Sequence, residues 1–367
     1  MTAWKNAAIP EERLRFWTHP DDEIDLAAET GITVFRMGID WGRLVPENPR
    51  NYRPDLKAGF GQGQIQDLEA LVHYKSIIDK IKAKNMKVMV TLFHHSLPKW
   101  AIDIGGWINE DMKLYFADFV QDASKALGQD VSFWNTFNEP TVFVLLTYCD
   151  GIWPPGLNLN TAQKLSCLVL PGQGGYSVAM ANIANAHKLA HQIIRSNSPE
   201  SSIGVAHNVG WHEAYHFWDG ASVAFIDKLM NFPFIDAVIS TIDFIGLNYY
   251  GKEIHNGGSV ILKSDEEYSE SGRTVYPKGL YDLLMRYNDN YKKKYKNLSF
   301  MITENGISDS TDILRPAYIV EHLLAIKQAI NDGVNVVGYL HWTISDNWVS
   351  NDSCQLLNIV IFINFYD

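Results

Sequence analysis

Two glutamates carry the strongest chemical signal in this sequence. Glu139 lies in the segment Trp-Asn-Thr-Phe-Asn-Glu-Pro (134–140), and Glu304 lies in Phe-Met-Ile-Thr-Glu-Asn-Gly (300–306). Each follows a short apolar run with strand character and precedes a residue that breaks helices or forms turns. Such a carboxylate stands at the C-terminal end of a strand, where α/β barrels keep their catalytic groups. Two carboxylates that face one sugar are the minimum equipment for cleaving a glycosidic bond.

The elements that must position these glutamates alternate along most of the chain. Strand-like segments are separated by helix-like segments, and this alternation predicts one parallel α/β domain. Several strand candidates are nearly continuous apolar runs, as expected for parallel strands that are buried on both faces. The strand candidates are residues 33–44, 87–95, 131–139, 202–209, 244–251, 299–306 and 336–345, and helix-like segments include 21–30, 68–81, 109–128 and 316–333.

The number of strand candidates bears on the fold class. A closed barrel of alternating strands and helices has eight parallel strands, and seven are visible in this sequence. No strand is evident before Thr33, where the sequence favours a helix. We therefore predict an α/β fold of the TIM (β/α)8 barrel class that lacks its first strand and its last helix.

Composition excludes several other classes of protein. The net charge of −11 argues against a nucleic-acid partner, which would require a basic face. The three cysteines, Cys149, Cys167 and Cys354, are odd in number and form no Cys-x-x-Cys pair, so we expect neither a disulfide framework nor a zinc site. A reducing compartment is then the default. We expect no signal peptide in the first ten residues and no transmembrane span.

With both glutamate segments in view, the chain resembles the family 1 glycoside hydrolases, the β-glucosidase clan of retaining enzymes. The resemblance runs from about Arg13 to about Trp348, and its two specific motifs are Thr-Phe-Asn-Glu-Pro (136–140) and Ile-Thr-Glu-Asn-Gly (302–306). It implies that Glu139 is the general acid/base and that Glu304 is the nucleophile. In such pairs the carboxyl groups lie roughly 5–5.5 Å apart, and their mutual repulsion keeps one proton on the acid.

The resemblance also implies roles for other side chains around the sugar. It assigns an arginine that keeps the nucleophile ionised, a tyrosine that donates to it, an asparagine for the sugar 2-hydroxyl, a histidine for another hydroxyl and a tryptophan floor. Each residue also has an ordinary structural interpretation, such as a strand arginine or a core tryptophan. In the same order these residues are Arg36, Tyr250, Asn138, His94 and Trp342, and Asn248 opens the Asn-Tyr-Tyr segment that contains the tyrosine.

Metal and cofactor sites are not indicated by the sequence. The neighbouring histidines His94 and His95 could suggest a metal, but no third ligand is spaced nearby. We therefore expect no metal and no cofactor, and we expect the partner to be a sugar or a lipid that carries one.

One segment departs from ordinary glucosidases of the family, which read His-Trp-Asp-Leu-Pro where this chain has His-His-Ser-Leu-Pro (94–98). This departure resembles a divergent plant branch that transfers galactose between galactolipids at the chloroplast outer envelope and is linked to freezing tolerance. Further matches to that branch are at residues 11–17, 265–273 and 342–348. The resemblance implies that a galactosyl–enzyme intermediate is intercepted by a second galactolipid instead of water, at a membrane surface in the complete relatives. We expect no targeting segment within this chain.

The ends of the family pattern are expected to be missing. The family continues after Trp348 with Glu-Trp, whereas this chain continues with Val349-Ser350. We expect a barrel-like domain over residues 1–348, with a tail over 349–367 that does not match the family. We also expect a protein that is less stable than complete relatives, with weak or no turnover.

Three functional hypotheses remain open at this point. The first is a transferase of the galactolipid branch, and the second is a plain β-glucosidase or β-galactosidase that transfers the sugar to water. The third is a non-catalytic remnant that binds sugars or lipid surfaces. Residues 95–96 and the loop at 268–273 favour the first hypothesis.

Overall fold

The computed structural model describes residues 15–52, 64–156, 166–167, 175–257 and 259–344, with the backbone of 362–363. These residues belong to two compact units. The described residues of the first unit lie within Val34–Val205 and Asp236–Ile242, and those of the second lie within Thr2–Thr33, Ala206–Ile235 and Asp243–Asp367.

Strands and helices alternate along the described residues. The strands are β1 (Val34–Gly38), β2 (Lys87–Phe93), β3 (Phe133–Asn138), β4 (Ser202–Ala214), β5 (Phe244–Asn256), β6 (Ser259–Ile261), β7 (Ser299–Asn305), β8 (Val336–His341) and β9 (Phe362–Ile363). The helices are α1 (Pro20–Glu29), α2 (Trp41–Leu44), α3 (Pro49–Tyr52), α4 (Leu68–Ala83), α5 (Lys99–Asp103), α6 (Met112–Leu127), α7 (Pro140–Val144), α8 (Gly175–Asn197), α9 (Gly220–Asn231), α10 (Pro233–Val238), α11 (Pro277–Tyr291) and α12 (Arg315–Asn331).

The first unit is built on parallel strands. β1 pairs with β2, and β2 pairs with β3, each in parallel register. Residues of β2 and β3 are almost continuously buried, as both faces of a parallel sheet require. The apolar core of this unit is rich in aromatic rings: Phe116 lies 4.7 Å from Phe137, and Trp41 stacks on Phe119 at 5.6 Å, measured between ring centroids.

The second unit repeats the parallel pattern. β5 pairs with β7 and β7 pairs with β8 in parallel, while the short β6 and β9 add antiparallel pairs to β5 and β8. Helices α11 and α12 pack on each other. Their buried residues include Leu280, Leu283, Leu284, Tyr318 and Ile326. Pro at the start of both helices fits their first turns, where a missing N–H costs no hydrogen bond.

All seven predicted strands form, but several boundaries differ from the expectation. The first predicted strand, residues 33–44, ends at Gly38. The Asp40 carboxylate accepts hydrogen bonds from the N–H groups of Gly42 and Arg43 and so begins helix α2. Local capping therefore overrides the apolar pattern of residues 39–44. β4 and β5 both extend several residues beyond the predicted ends.

The cysteine expectation is wrong. Cys149 and Cys167 form a disulfide whose Cα atoms lie 5.6 Å apart. An odd cysteine count says nothing about which two residues the fold brings within bonding distance. The third cysteine, Cys354, lies outside the described residues, as does nearly all of the expected tail at 349–367.

Within the part of the chain that the structure describes, every helix is too short or too polar to cross a bilayer.

A buried histidine in the first unit makes folding sensitive to acid. The His187 ring is fully buried and contacts the Thr136 hydroxyl at 2.7 Å through Nδ1 and the Thr241 carbonyl at 3.1 Å through Nε2. A neutral ring satisfies both contacts by accepting at one nitrogen and donating at the other. Burial lowers the pKa of His187 to about 3, and the contact with Thr241 only partly opposes this shift.

We expect acidification to destabilise the fold through His187. In the unfolded chain a histidine has a pKa near ~6.5, so between that pH and about 3 the unfolded state binds the additional proton. The stability that the neutral ring contributes is complete above a pH of ~6.5 and declines as the pH falls towards about 3. His187→Gln should flatten the pH dependence of the unfolding free energy between pH values of about 6 and 4, by up to ~1.4 kcal/mol per pH unit. Urea titrations at several pH values measure this slope, with the exposed His19→Gln as control. Equal slopes in the wild type and His187→Gln would contradict the assignment.

Candidate active site

Glu139 occupies a strained turn in the first unit. It follows the last residue of β3 directly and precedes helix α7, which begins at Pro140. Its backbone is left-handed, with φ of 43° and ψ of 54°. A residue other than glycine is strained in the left-handed region of backbone conformation. Such strain is often found at functional positions. The side chain is half-buried and does not cap the helix.

A chain of hydrogen bonds orders the side chains that precede Glu139. The Arg36 guanidinium on β1 donates to the Asn138 Oδ1 atom at 2.6 Å and to the Thr91 hydroxyl at 3.1 Å. Because Oδ1 accepts from the arginine, the amide nitrogen of Asn138 points to His94 and donates to its Nε2 atom at 3.1 Å. The arginine thus fixes the orientation of the asparagine, and the asparagine fixes the tautomer of the histidine.

The two histidines after β2 are both held neutral. His94 is exposed, but the protein atoms around its ring, followed by electrostatic interactions with His95 and Arg36, lower its pKa well below the ordinary value. Burial also lowers the pKa of His95, while the charge of Glu139 opposes that shift. The His95 Nε2–H donates to the Asn138 carbonyl at 3.1 Å. Neutral imidazoles can accept from or donate to a sugar hydroxyl without adding charge.

Glu304 lies on β7 in the second unit and is almost completely buried, with 3% of its surface exposed. The Tyr250 hydroxyl donates to its Oε2 atom at 2.6 Å. The guanidinium of Arg273 lies over the Tyr250 ring, 5.1 Å from its centre, and this cation–π contact restrains the ring. A short hydrogen bond from a phenol favours one orientation of the carboxylate.

Buried polar residues support both neighbours of Glu304. Thr303 donates to the Asn248 Oδ1 atom at 2.7 Å. The amide nitrogen of Asn305 donates to the Tyr249 carbonyl at 2.7 Å and lies 2.9 Å from the Tyr318 hydroxyl. The Tyr339 hydroxyl donates to the Asn305 Oδ1 atom at 2.9 Å. All of these groups are buried and paired, so the segment around Glu304 has little freedom to move.

Trp342 is tied to this same segment. Its backbone N–H donates to the Asn305 carbonyl at 2.8 Å, and its side chain is half-buried. Gly306 makes the close approach possible, because a Cβ atom at that position would lie 2.1 Å from the Trp342 carbonyl oxygen. Glycine at position 306 is therefore required by the backbone that passes beside it.

A side chain at position 306 should force these two segments apart. We expect Gly306→Ala to lower the unfolding free energy by about 1–3 kcal/mol, because the added methyl group meets backbone that cannot rotate away. The matched control is Gly220→Ala, where a Cβ atom would have no neighbour within 4 Å. Urea denaturation compares the two variants, and a Gly306→Ala protein as stable as the control would refute the steric argument.

The structure thus assembles two groups from the predicted site residues. In the first unit it joins Arg36, Asn138 and His94 next to Glu139, and in the second it joins Tyr250 to Glu304. The predicted contact between Arg36 and the nucleophile, and the predicted separation of the two carboxylates, stay predictions. Sequence reasoning missed the supporting residues, which are Thr91, Asn305, Tyr318 and Tyr339. Of these residues, only Asn305 could have been noticed from the sequence, because it adjoins Glu304.

Each group presents one carboxylate in a distinct setting. One glutamate lies in a strained turn beside neutral hydrogen-bonding rings, and the other is a buried carboxylate with a phenolic donor. The first arrangement suits a residue that exchanges protons, and the second suits a nucleophile that must be held in one orientation.

Comparison with known proteins identifies the family of this chain. The model of glycosyl hydrolase family 1 matches residues 11–240 and 226–365. The chain is 47% identical over 95% of its length to the chloroplastic beta-glucosidase-like SFR2 of Oryza sativa subsp. japonica. It is 43% identical over 95% of its length to the chloroplastic galactolipid galactosyltransferase SFR2 of Arabidopsis thaliana. The chain spans about half the length of these relatives, 52% and 54% respectively.

Solved structures agree with this match. The structure of Fpglu1 from Fervidobacterium pennivoraus superimposes with a TM-score of 0.81 at 28% identity, over 96% of this chain and 80% of that one. The hyperthermophilic beta-glucosidase of Pyrococcus furiosus gives a TM-score of 0.78 at 27% identity, over 95% and 80% of the two chains. The likeness confirms the predicted class, a partial TIM barrel.

Proposed function

We propose that this chain, which belongs to glycosyl hydrolase family 1, is a retaining enzyme that transfers galactose between galactolipids. One observation carries the chemistry: the buried Glu304 carboxylate is held by the Tyr250 hydroxyl at 2.6 Å on a strand end where barrel enzymes keep their reactive groups. The choice of galactolipid as substrate is supported by the 43% identity to the Arabidopsis galactosyltransferase.

The proposed reaction has two displacements at the anomeric carbon. Glu139 gives its proton to the glycosidic oxygen while a Glu304 oxygen attacks the anomeric carbon, so the donor lipid leaves and a galactosyl ester forms. Glu139, now ionised, takes the proton from a hydroxyl of a second galactolipid. That oxygen attacks the anomeric carbon and releases the Glu304 carboxylate. Two inversions retain the β configuration.

The other site residues would act on the sugar and on the carboxylates. We assign the 2-hydroxyl to Asn138, whose orientation Arg36 fixes through Oδ1, and another hydroxyl to His94. Trp342 would pack against the pyranose face, and Asn248 would hold β7 in place through Thr303. Arg36 would also favour the ionised nucleophile, since an opposite charge stabilises a carboxylate.

The setting of this activity is part of the proposal. Both SFR2 relatives are named chloroplastic, and we propose the chloroplast, and within it the outer envelope, as the site of action. Galactolipids are membrane lipids, so catalysis would take place at a membrane surface. A contribution to freezing tolerance would follow from the same lipid exchange.

Substitution of each glutamate tests the chemistry. Glu304→Gln removes the nucleophile and should abolish measurable turnover of nitrophenyl β-galactoside. Glu139→Gln removes the proton donor and should slow turnover of an unactivated galactoside by about 10²–10⁴-fold, with a smaller loss on dinitrophenyl substrates, whose leaving group needs no proton. The exposed Glu200→Gln is the matched control. Unchanged rates in both site variants would refute the roles assigned to the two glutamates, and no turnover by the folded wild-type protein would leave the chain a non-catalytic remnant.

Product analysis separates transfer from hydrolysis. A plain hydrolase is the second candidate, favoured by a 27% identical beta-galactosidase of Pyrococcus woesei that aligns over 93% of this chain. With vesicles of monogalactosyl diacylglycerol, we expect di- and trigalactosyl lipids with little free galactose, because acceptor and water compete for one intermediate. Free galactose as the main product, with no oligogalactosyl lipid, would identify a hydrolase.

A further inference from the structure

Outside the candidate active site, the second unit brings together two histidines and a glutamate on one face of neighbouring strands. β4 carries His212, and β5 carries Glu253 and His255. Side chains alternate along a strand, so Glu253 and His255, two positions apart, share a face. The residues between and beside them take the other face, where Lys252 pairs with Glu213 and Glu266. The trio is therefore separate from that ion-pair network.

The three potential ligand atoms converge on one point. His212 Nδ1 lies 3.0 Å from His255 Nε2, and the Glu253 Oε2 atom lies 3.7 Å and 3.9 Å from those two nitrogens. A circle through the three atoms has a radius of about 2.1 Å, as these distances require. Zinc lies about 2.0–2.1 Å from histidine nitrogens and about 2.0–2.2 Å from carboxylate oxygens. A zinc ion at the centre would reach all three atoms with little movement of the side chains.

The surroundings suit a cation. Both histidine side chains are 5% exposed, whereas Glu253 is 37% exposed and leaves a route for an ion and for a solvent ligand. Arg286, whose charge acts on His212, is paired with Asp227 at 2.6 Å and so adds little net positive charge. The Glu253 carboxylate contributes a negative charge beside the two rings.

Hydrogen bonds to other described residues do not fix the tautomers of the two histidine rings. Among the described residues, the outer nitrogens, His212 Nε2 and His255 Nδ1, have no hydrogen-bond partner. The shared contact at 3.0 Å needs one proton between the inner nitrogens. A metal ion can take the place of that proton. The proton would move to an outer ring nitrogen, and this move would break no other hydrogen bond.

We propose that His212, Glu253 and His255 bind a zinc ion, with solvent as the fourth ligand. Two imidazoles and one carboxylate favour zinc over magnesium or calcium, which prefer oxygen ligands. The ion would join β4 to β5 as a clip. This departs from the sequence-based expectation of no metal, which considered the three cysteines and the pair His94 and His95.

The test is zinc binding to the full chain after chelator treatment. We expect one zinc ion per chain by equilibrium dialysis, no displacement by a roughly hundredfold excess of magnesium, and a zinc-dependent rise in the thermal midpoint. His255→Gln and Glu253→Gln should each weaken zinc binding by at least about tenfold and remove that rise. The exposed His19→Gln and Glu110→Gln, the latter with an 83% exposed side chain, are matched controls.

Cobalt substitution in the wild-type protein keeps the proposal testable if a variant does not fold. Four-coordinate Co²⁺ at nitrogen and oxygen ligands should give strong visible absorption without a sulfur charge-transfer band. No binding, a sulfur-to-cobalt band that places the metal on a cysteine, or unchanged zinc affinity in both folded site variants would overturn the proposal.

Discussion

The hydrogen bond from Tyr250 to Glu304 is the interaction on which the proposed chemistry depends. A carboxylate that is 97% removed from solvent must be held in one orientation to attack a single carbon atom, and the phenol supplies that restraint at 2.6 Å. The restraint is useful only if the strand itself is rigid. Asn305, paired with the Tyr249 backbone and with the hydroxyls of Tyr318 and Tyr339, provides that rigidity one residue further along β7.

In the first unit, hydrogen bonds order the polar side chains beside Glu139. Arg36 orients the Asn138 amide, and the amide in turn orients the His94 ring. Both histidines after β2 are kept neutral by their surroundings. Glu139 directly follows Asn138, in a left-handed turn that a non-glycine residue adopts only when its neighbours enforce it. In each unit, then, the carboxylate to which we assign the chemistry lies at or next to the C-terminal end of a buried parallel strand.

Sequence patterns predicted much of this arrangement. The seven main strands could be recognised because parallel strands buried on both faces are nearly continuous apolar runs. The ends of the strands were harder to predict. The first predicted strand stops at Gly38 because Asp40 caps the following helix, and this cap is a local polar contact inside an apolar pattern. The Cys149–Cys167 disulfide and the His212–Glu253–His255 trio were not predicted, since each joins residues that only the fold brings together. Asn305 adjoins Glu304 in the sequence, but its partners Tyr249, Tyr318 and Tyr339 could not be recognised, because only the fold brings them to it.

The central claim is that Glu304 becomes covalently bonded to the sugar during turnover. Incubation with a 2-deoxy-2-fluoro-β-galactoside that carries a good leaving group, followed by protease digestion and mass spectrometry, tests it most directly. The account predicts one fluorosugar per chain on the peptide that contains Glu304, and none on the Glu304→Gln protein. A label on any other residue, or an unlabelled peptide from a folded wild-type protein that turns over galactosides, would contradict it.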